Sequence, residues 1–163
     1  MKKKAKSKNI KEEIEVVVNE LLEKLQVEGK VNVTEETGDT EGDTASSYRI
    51  TIESEESGLL IGHHGETINS LQLILGVILY KKSGKWMRVI LDVGDYRKMR
   101  EETIKEMVNR IVTEVEDSGK PVELPYLSPL ERRIVHMMLT DHKNVRSESS
   151  GEGKDRRVTI KPR

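Results

Sequence analysis

The 163-residue sequence has no cysteine and no phenylalanine, four prolines and a single tryptophan. Without thiols there is no disulfide framework, no thiolate metal site and no cysteine nucleophile, and a reducing, cytoplasmic location is expected. Aromatic residues make up 3% of the chain, too few for a domain that stacks successive bases on exposed rings. Long apolar runs are missing as well. No stretch approaches the roughly 18 residues of a membrane span, and the lysines at positions 2, 3, 4, 6 and 8 lead into an amphipathic pattern, not into the apolar core of a signal peptide. No P-loop, nucleophile elbow or GxGxxG segment occurs, so neither an enzyme nor a cofactor is expected.

Charge is present in quantity but is segregated. The net charge is −1, yet residues 28–57 hold nine acids against two bases, whereas residues 132–163 hold nine bases against four acids. Distribution matters more than the total for a polyanion-binding surface, so any phosphate-facing patch is expected near the C-terminus.

Apolar residues Ile10, Ile14, Val17, Val18, Leu21, Leu22 and Leu25 recur at three- and four-residue steps, which predicts an amphipathic helix over residues 9–26 after a basic stub at 1–8. Val31 and Val33 alternate with polar neighbours as a short strand. A mobile hairpin loop rich in Gly, Asp, Thr and Ser follows at 37–47, and then Tyr48, Ile50 and Ile52 show the period of a half-buried strand. Two apolar helical patches, 59–61 and 68–79, are separated by Gly62 and Gly65, and Ser83 with Gly84 closes the second. Residues 86–93 read as a strand with Met87, Val89, Leu91 and Val93 on one face. From Asp95, a plausible N-cap, a long helix runs to about Glu116 on Met99, Thr103, Met107, Val108, Ile111, Val112 and Val115. Val122 to Leu124 form a short strand, Ser128-Pro129-Leu130-Glu131 opens a capped helix, and Leu130, Ile134, Val135, Met138 and Leu139 give it a buried face. Val145 to Ser147 and Arg157 to Ile160 are strands across a glycine-rich turn.

Two glycines three apart let a ligand approach the backbone closely, and a helix starting at once behind them presents free N–H groups to an anion such as a phosphate. Leu60-Ile61-Gly62-His63-His64-Gly65-Glu66-Thr67-Ile68 resembles the Ile-Gly-x-x-Gly-x-x-Ile signature of KH domains, and the surrounding order, α-β-β-α-α-β, is similar to the type II KH fold. The resemblance implies that Gly62, His63, His64 and Gly65 meet the backbone of a single strand, while a groove floored by Ile61 and Ile68 takes the bases. Such loops usually carry Lys or Arg; this one offers two imidazoles, with Glu66 beside them.

Further along, Arg132 and His136 are four apart and share one helix face, opposite Ile134, Val135 and Met138. Arg-x-x-x-His in strand-helix-strand surroundings resembles the R-three-H domain, a single-stranded nucleic-acid binder. A type II KH unit, then Leu91-Asp92-Val93-Gly94-Asp95-Tyr96-Arg97 before a long helix, then Ser-Pro-Leu-Glu-Arg-Arg-Ile-Val-His, is similar to the bacterial Jag (KhpB, SpoIIIJ-associated) family. The fold expected is therefore α+β, a KH domain over 9–94 and a small α/β R-three-H domain over 95–163. The resemblance implies binding of single-stranded RNA, or single-stranded DNA, through Arg132, Arg133 and His136. It also implies post-transcriptional regulation linked to cell envelope or division, and a small single-KH protein partner. Charge alone adds Arg156 and Arg157 to the patch. Family members commonly carry a further N-terminal domain and linker where this sequence has its lysine-rich stub.

Two other chemistries compete with this reading. A zinc hydrolase needs three converging ligands, but His63, His64, His136 and His142 are the only histidines, adjacent ones diverge on most backbones, and neither Glu66 nor Asp141 completes a ligand motif. The stronger rival is a protein-interaction module with a KH-like fold, favoured by the acidic N-terminal half; the basic C-terminal excess with Arg132 and His136 favours RNA.

Overall fold

Helix α1 (Lys2–Leu25) forms because its apolar residues recur with the helical period: Ile14, Val17, Val18 and Leu22 are buried while Glu12, Glu13, Asn19 and Glu20 face water. The computed structural model describes residues 2–36 and 47–163, with side chains from Ile10 onward. The helix starts at Lys2, ahead of the expected Asn9, because Lys and Ala are good helix formers and no breaker interrupts the stub. The side chains of that stub, and the expected hairpin loop except Ser47, lie outside the described residues.

Strand β1 (Lys30–Glu36) pairs antiparallel with β2 (Ser47–Glu53), which pairs in parallel with β3 (Arg88–Val93), giving the order β1-β2-β3. A parallel pair needs a crossover. Here it consists of α2 (Ser57–Ile61), a 3-10 turn (His63–Gly65) and α3 (Glu66–Ser83). Tyr48, Ile50 and Ile52 of β2 and Val89, Leu91 and Val93 of β3 form one face of the sheet and share a core with Ile14, Val18, Leu60, Ile68 and Leu75. The element order α-β-β-α-α-β is that of a type II KH domain. Trp86 and Met87, expected to open β3, precede it, because the register with β2 begins at Ser47 opposite Arg88. Trp86 instead lies over Gly76 of α3, 66% exposed, with its ring 5.9 Å from that of Tyr80.

Helix α4 (Tyr96–Ser118) buries Ile104, Val108, Ile111, Val112 and Val115. Met99 and Thr103, expected on that stripe, are exposed, and Ile104 takes the position that the helical period assigns. Asp95 does not cap this helix: its φ of 58° is outside the extended conformation an N-cap adopts. Asp92 serves there, its Oδ1 accepting from the backbone N–H of Val93 (2.9 Å) and Arg97 (3.3 Å). After β4 (Val122–Glu123) come α5 (Pro129–Leu139), β5 (Val145–Ser150) and β6 (Arg157–Pro162), in an antiparallel sheet of order β4-β6-β5. Val108, Val112, Leu124, Leu127, Val135, Leu139, Val145, Val158 and Ile160 close a second core. Leu130 is 68% exposed, a departure from expectation, since the buried stripe of α5 runs through Glu131, Val135 and Leu139. The two cores define two compact units, Met1–Arg97 and Lys98–Arg163, where the sequence suggests a boundary after Gly94.

Candidate nucleic-acid interface

In the first unit, Gly62 ends α2 with φ 70° and ψ −170°, a region essentially reserved for glycine. A Cβ there would stand 1.9 Å from Thr67 Oγ1. Gly65, at φ 82° and ψ 14°, precedes α3, and no side chain caps that helix; the N–H of Glu66 donates to His63 O within the turn. Between the glycines His64 is left-handed (φ 52°), and the rings of His63 and His64 sit 4.1 Å apart. Adjacent imidazoles diverge on most backbones; here the left-handed turn brings them to one side. Both are exposed, Ile61 is half-buried, and Ile68 is 1% exposed, inside the core. Ile68 therefore supports the loop from beneath and does not floor a groove, because its position on α3 faces the sheet.

The second unit gathers Arg132, Arg133, His136 and Arg156 around a cavity of about 340 Å³, with Pro129, Met137, Thr140 and Ser149 also in its wall. The start of α5 is fixed by a capping box: Ser128 N donates to Glu131 Oε2 (2.6 Å) and Glu131 N to Ser128 Oγ (3.4 Å). Glu131 Oε1 accepts from Arg100 Nε at 2.7 Å. Burial pushes the Glu131 carboxyl up, but the hydrogen bonds from Arg100 and Ser128 and the charge of Arg100 together outweigh it and hold it below its ordinary range. Arg132 Nη1 donates to Leu127 O at 2.7 Å. His136 is held at both ring nitrogens, Nδ1 by Ser147 Oγ (2.7 Å) and Nε2 by Ser149 Oγ (3.0 Å), and hydroxyls can serve either tautomer. Among the described residues, none of Arg132, Arg133 and Arg156 is ion-paired with a carboxylate. Arg157 is not in the cavity wall: its guanidinium donates to Lys154 O and Arg156 O and lies 5.5 Å from the Tyr126 ring centroid. No group of three His, Cys, Asp or Glu that could hold a metal occurs among the described residues, and no helix there is long and apolar enough to cross a membrane.

A family model described as KhpA/KhpB, KH domain matches residues 11–93, and one for the R-three-H domain matches residues 102–162. The chain belongs to the KhpB family. It is similar to the RNA-binding protein KhpB of Clostridium symbiosum (34% identity over 72% of this chain and 53% of that protein) and of Lactiplantibacillus plantarum (34%, 76% and 39%). It also resembles that of Bacillus subtilis (29%, 82% and 62%). The chain thus spans about half the length of these curated KhpB relatives.

Several side chains at these KhpB sites are not singled out by the sequence. Ser147 and Ser149 hold His136, and the signal for them is strand alternation on β5, which places both on the helix-covered face beside Val145. In the KH unit, Asn69 and Gln72 continue the face of α3 that begins at Gly65. Gln72 Oε1 accepts from Leu91 N (3.0 Å) and from Arg97 Nη2 (3.0 Å); Arg97 also donates from Nε to Leu91 O (2.9 Å) and from Nη2 to Asn69 Oδ1 (3.3 Å).

Proposed function

We propose that this chain binds single-stranded RNA, the Gly62–Gly65 loop and Ile61 taking one stretch of backbone and the Arg132, Arg133, His136 and Arg156 cavity taking phosphates. The observation that carries it is the set of three guanidiniums around one cavity, none ion-paired among the described residues. Planar, permanently charged donors suit phosphate oxygens bidentately, and leaving three side by side without carboxylates costs stability unless an anion fills the site. The loop contributes in another way. Gly62 and Gly65 carry no side chain, so a phosphate can come close to the backbone beside the uncapped start of α3, and His63 and His64 supply ring donors there. The relatives' name, RNA-binding protein KhpB, supports RNA as the polymer; single-stranded DNA offers the same phosphates without the 2′-OH. Family membership carries the rest of the reading: a non-enzymatic, cytoplasmic post-transcriptional regulator connected with cell envelope or division.

One observation favours a second, compatible reading in which the KH unit is also an assembly surface. Leu73, Ile74, Val77, Tyr80 and Trp86 on or beside α3 are 45–66% exposed, an apolar stripe that suits a small single-KH protein. The RNA reading is tested by His63→Asp with His64→Asp, which puts carboxylates where the phosphate is expected. Asp tolerates the left-handed conformation at 64, so folding is retained. RNA affinity of the full chain, measured by fluorescence anisotropy, should fall about tenfold or more; wild-type affinity in a folded variant would remove the loop from the RNA site and leave the arginine cavity alone to carry binding.

A further inference from the structure

Asn69, Gln72 and Arg97 form a continuous polar surface at the free edge of β3, because β3 has only β2 as a neighbour and the outward N–H and C=O of Leu91 are taken by Gln72 and Arg97. The surface adjoins the glycine loop. Asn69 is four residues beyond Gly65, about 6 Å along the same face of α3, and a Cβ on Gly65 would stand 3.0 Å from Tyr96, the neighbour of Arg97 in sequence. Asn69 is exposed, while Gln72 and Arg97 are half-buried.

The hydrogen bonds fix which atoms face outward. Only an amide oxygen can accept from Leu91 N and from the Arg97 guanidinium, so Gln72 Oε1 and Asn69 Oδ1 are turned inward. The capacity left over is mainly of one kind: Nδ2 of Asn69, Nε2 of Gln72 and Nη1 of Arg97 are all donors. Gln72 Oε1 is filled by two donors, and Asn69 Oδ1, turned to Arg97, keeps one lone pair.

We propose that this trio is a base-reading site that selects keto bases, guanine or uracil, over amino bases in the nucleotide next to the one held by the loop. This deepens, and rests on, the reading of the Gly62–Gly65 loop as an RNA-backbone site. Guanine presents N7 and O6 as adjacent acceptors and uracil presents O4, whereas adenine and cytosine place an exocyclic amino group at the equivalent position, donor against donor. A mispaired donor at a half-buried surface loses its hydrogen bond to water without replacement.

The test compares binding of the full chain to short single-stranded oligomers differing only in that group: uridine against cytidine for the pyrimidine arm, and inosine against adenosine within a uridine context for the guanine-like edge. Pairing like-sized bases removes differences in stacking. The keto member of each pair should bind about tenfold more tightly, and whichever arm shows the larger ratio identifies the base. Asn69→Asp with Gln72→Glu keeps both inward oxygens but replaces the outward donors by acceptors; the ratio should then shrink or invert, which a merely structural role would not produce. Equal affinities within both pairs, or a ratio unmoved by the double variant, overturn the proposal. If His63→Asp with His64→Asp weakens binding while no base preference exists, the donor-set proposal alone falls. If that loop variant binds like wild type, the loop reading falls and this proposal with it.

Discussion

At the scale of single residues, Gly62 is the most constrained position of the loop. Its φ and ψ of 70° and −170° exclude other residues at a cost of about 1–3 kcal/mol, and a Cβ would also overlap Thr67 Oγ1 at 1.9 Å. Gly65 is milder: its left-handed conformation is one that Asn or Asp also visits, and the nearest atom to an added Cβ is a tyrosine ring carbon at 3.0 Å. Gly62→Ala should therefore destabilise the KH unit by about 3 kcal/mol, and Gly65→Ala by about 1 kcal/mol, read from urea unfolding midpoints. Thr67→Ala in the Gly62→Ala background should restore part of the deficit, separating overlap from backbone strain. Equal, small effects of both glycine substitutions would contradict the geometry. For the same reason acidic substitutions probe RNA binding better at His63 and His64 than at the glycines.

At the scale of elements, the sequence spacing Ser128-Pro129-x-Glu131 announces the start of α5, and the structure shows both halves of that capping box. Arg100 cannot be read in the same way. It reaches Glu131 from 31 residues earlier, and only the packing of α4 brings it there. The same limit explains Asp92 in place of Asp95 and the exposed Met99: a cap or a stripe chosen by local pattern is off by a few residues when a distant strand or helix sets the phase. The Arg100–Glu131 ion pair has a pH signature. Because the folded-state pKa of Glu131 lies below its ordinary value of 4.5, its contribution is fully present above that value and is lost as pH falls through the folded pKa. Glu131→Gln should lower stability at neutral pH by about 1–3 kcal/mol. Wild type and variant should converge as pH falls from the ordinary value of 4.5 through the lowered folded pKa, followed by urea unfolding at neutral and acid pH. A gap that stayed constant with pH would mean that the carboxylate charge contributes nothing there.

At the scale of the whole molecule, a net charge of −1 conceals a basic C-terminal segment because acids and bases are separated along the chain. The basic excess of residues 132–163 is legible in composition, but which bases converge is not. Arg156 reaches the cavity while its neighbour Arg157 turns to Tyr126 and to backbone carbonyls. Composition counts charges, and the fold decides which are free. This separates two kinds of binding defect that share one affinity measurement. Neutralising a phosphate releases counterions, so Arg132→Ala, Arg133→Ala and Arg156→Ala together should reduce the slope of log K against log salt by about 0.7 for each phosphate no longer neutralised. They should weaken unrelated RNA sequences by similar factors. Arg157→Ala should change the slope less than any one of the three, since Arg157 lies outside the cavity wall and its Nη1 is bonded to backbone carbonyls. The discriminating measurement is a salt titration of the full chain with two RNAs of different sequence. A triple variant with the wild-type slope would show that the cavity arginines do not touch phosphate. A slope that falls with Arg157→Ala as much as with any one of the three would show that the rest of the β6 surface, and not the cavity, neutralises the phosphates.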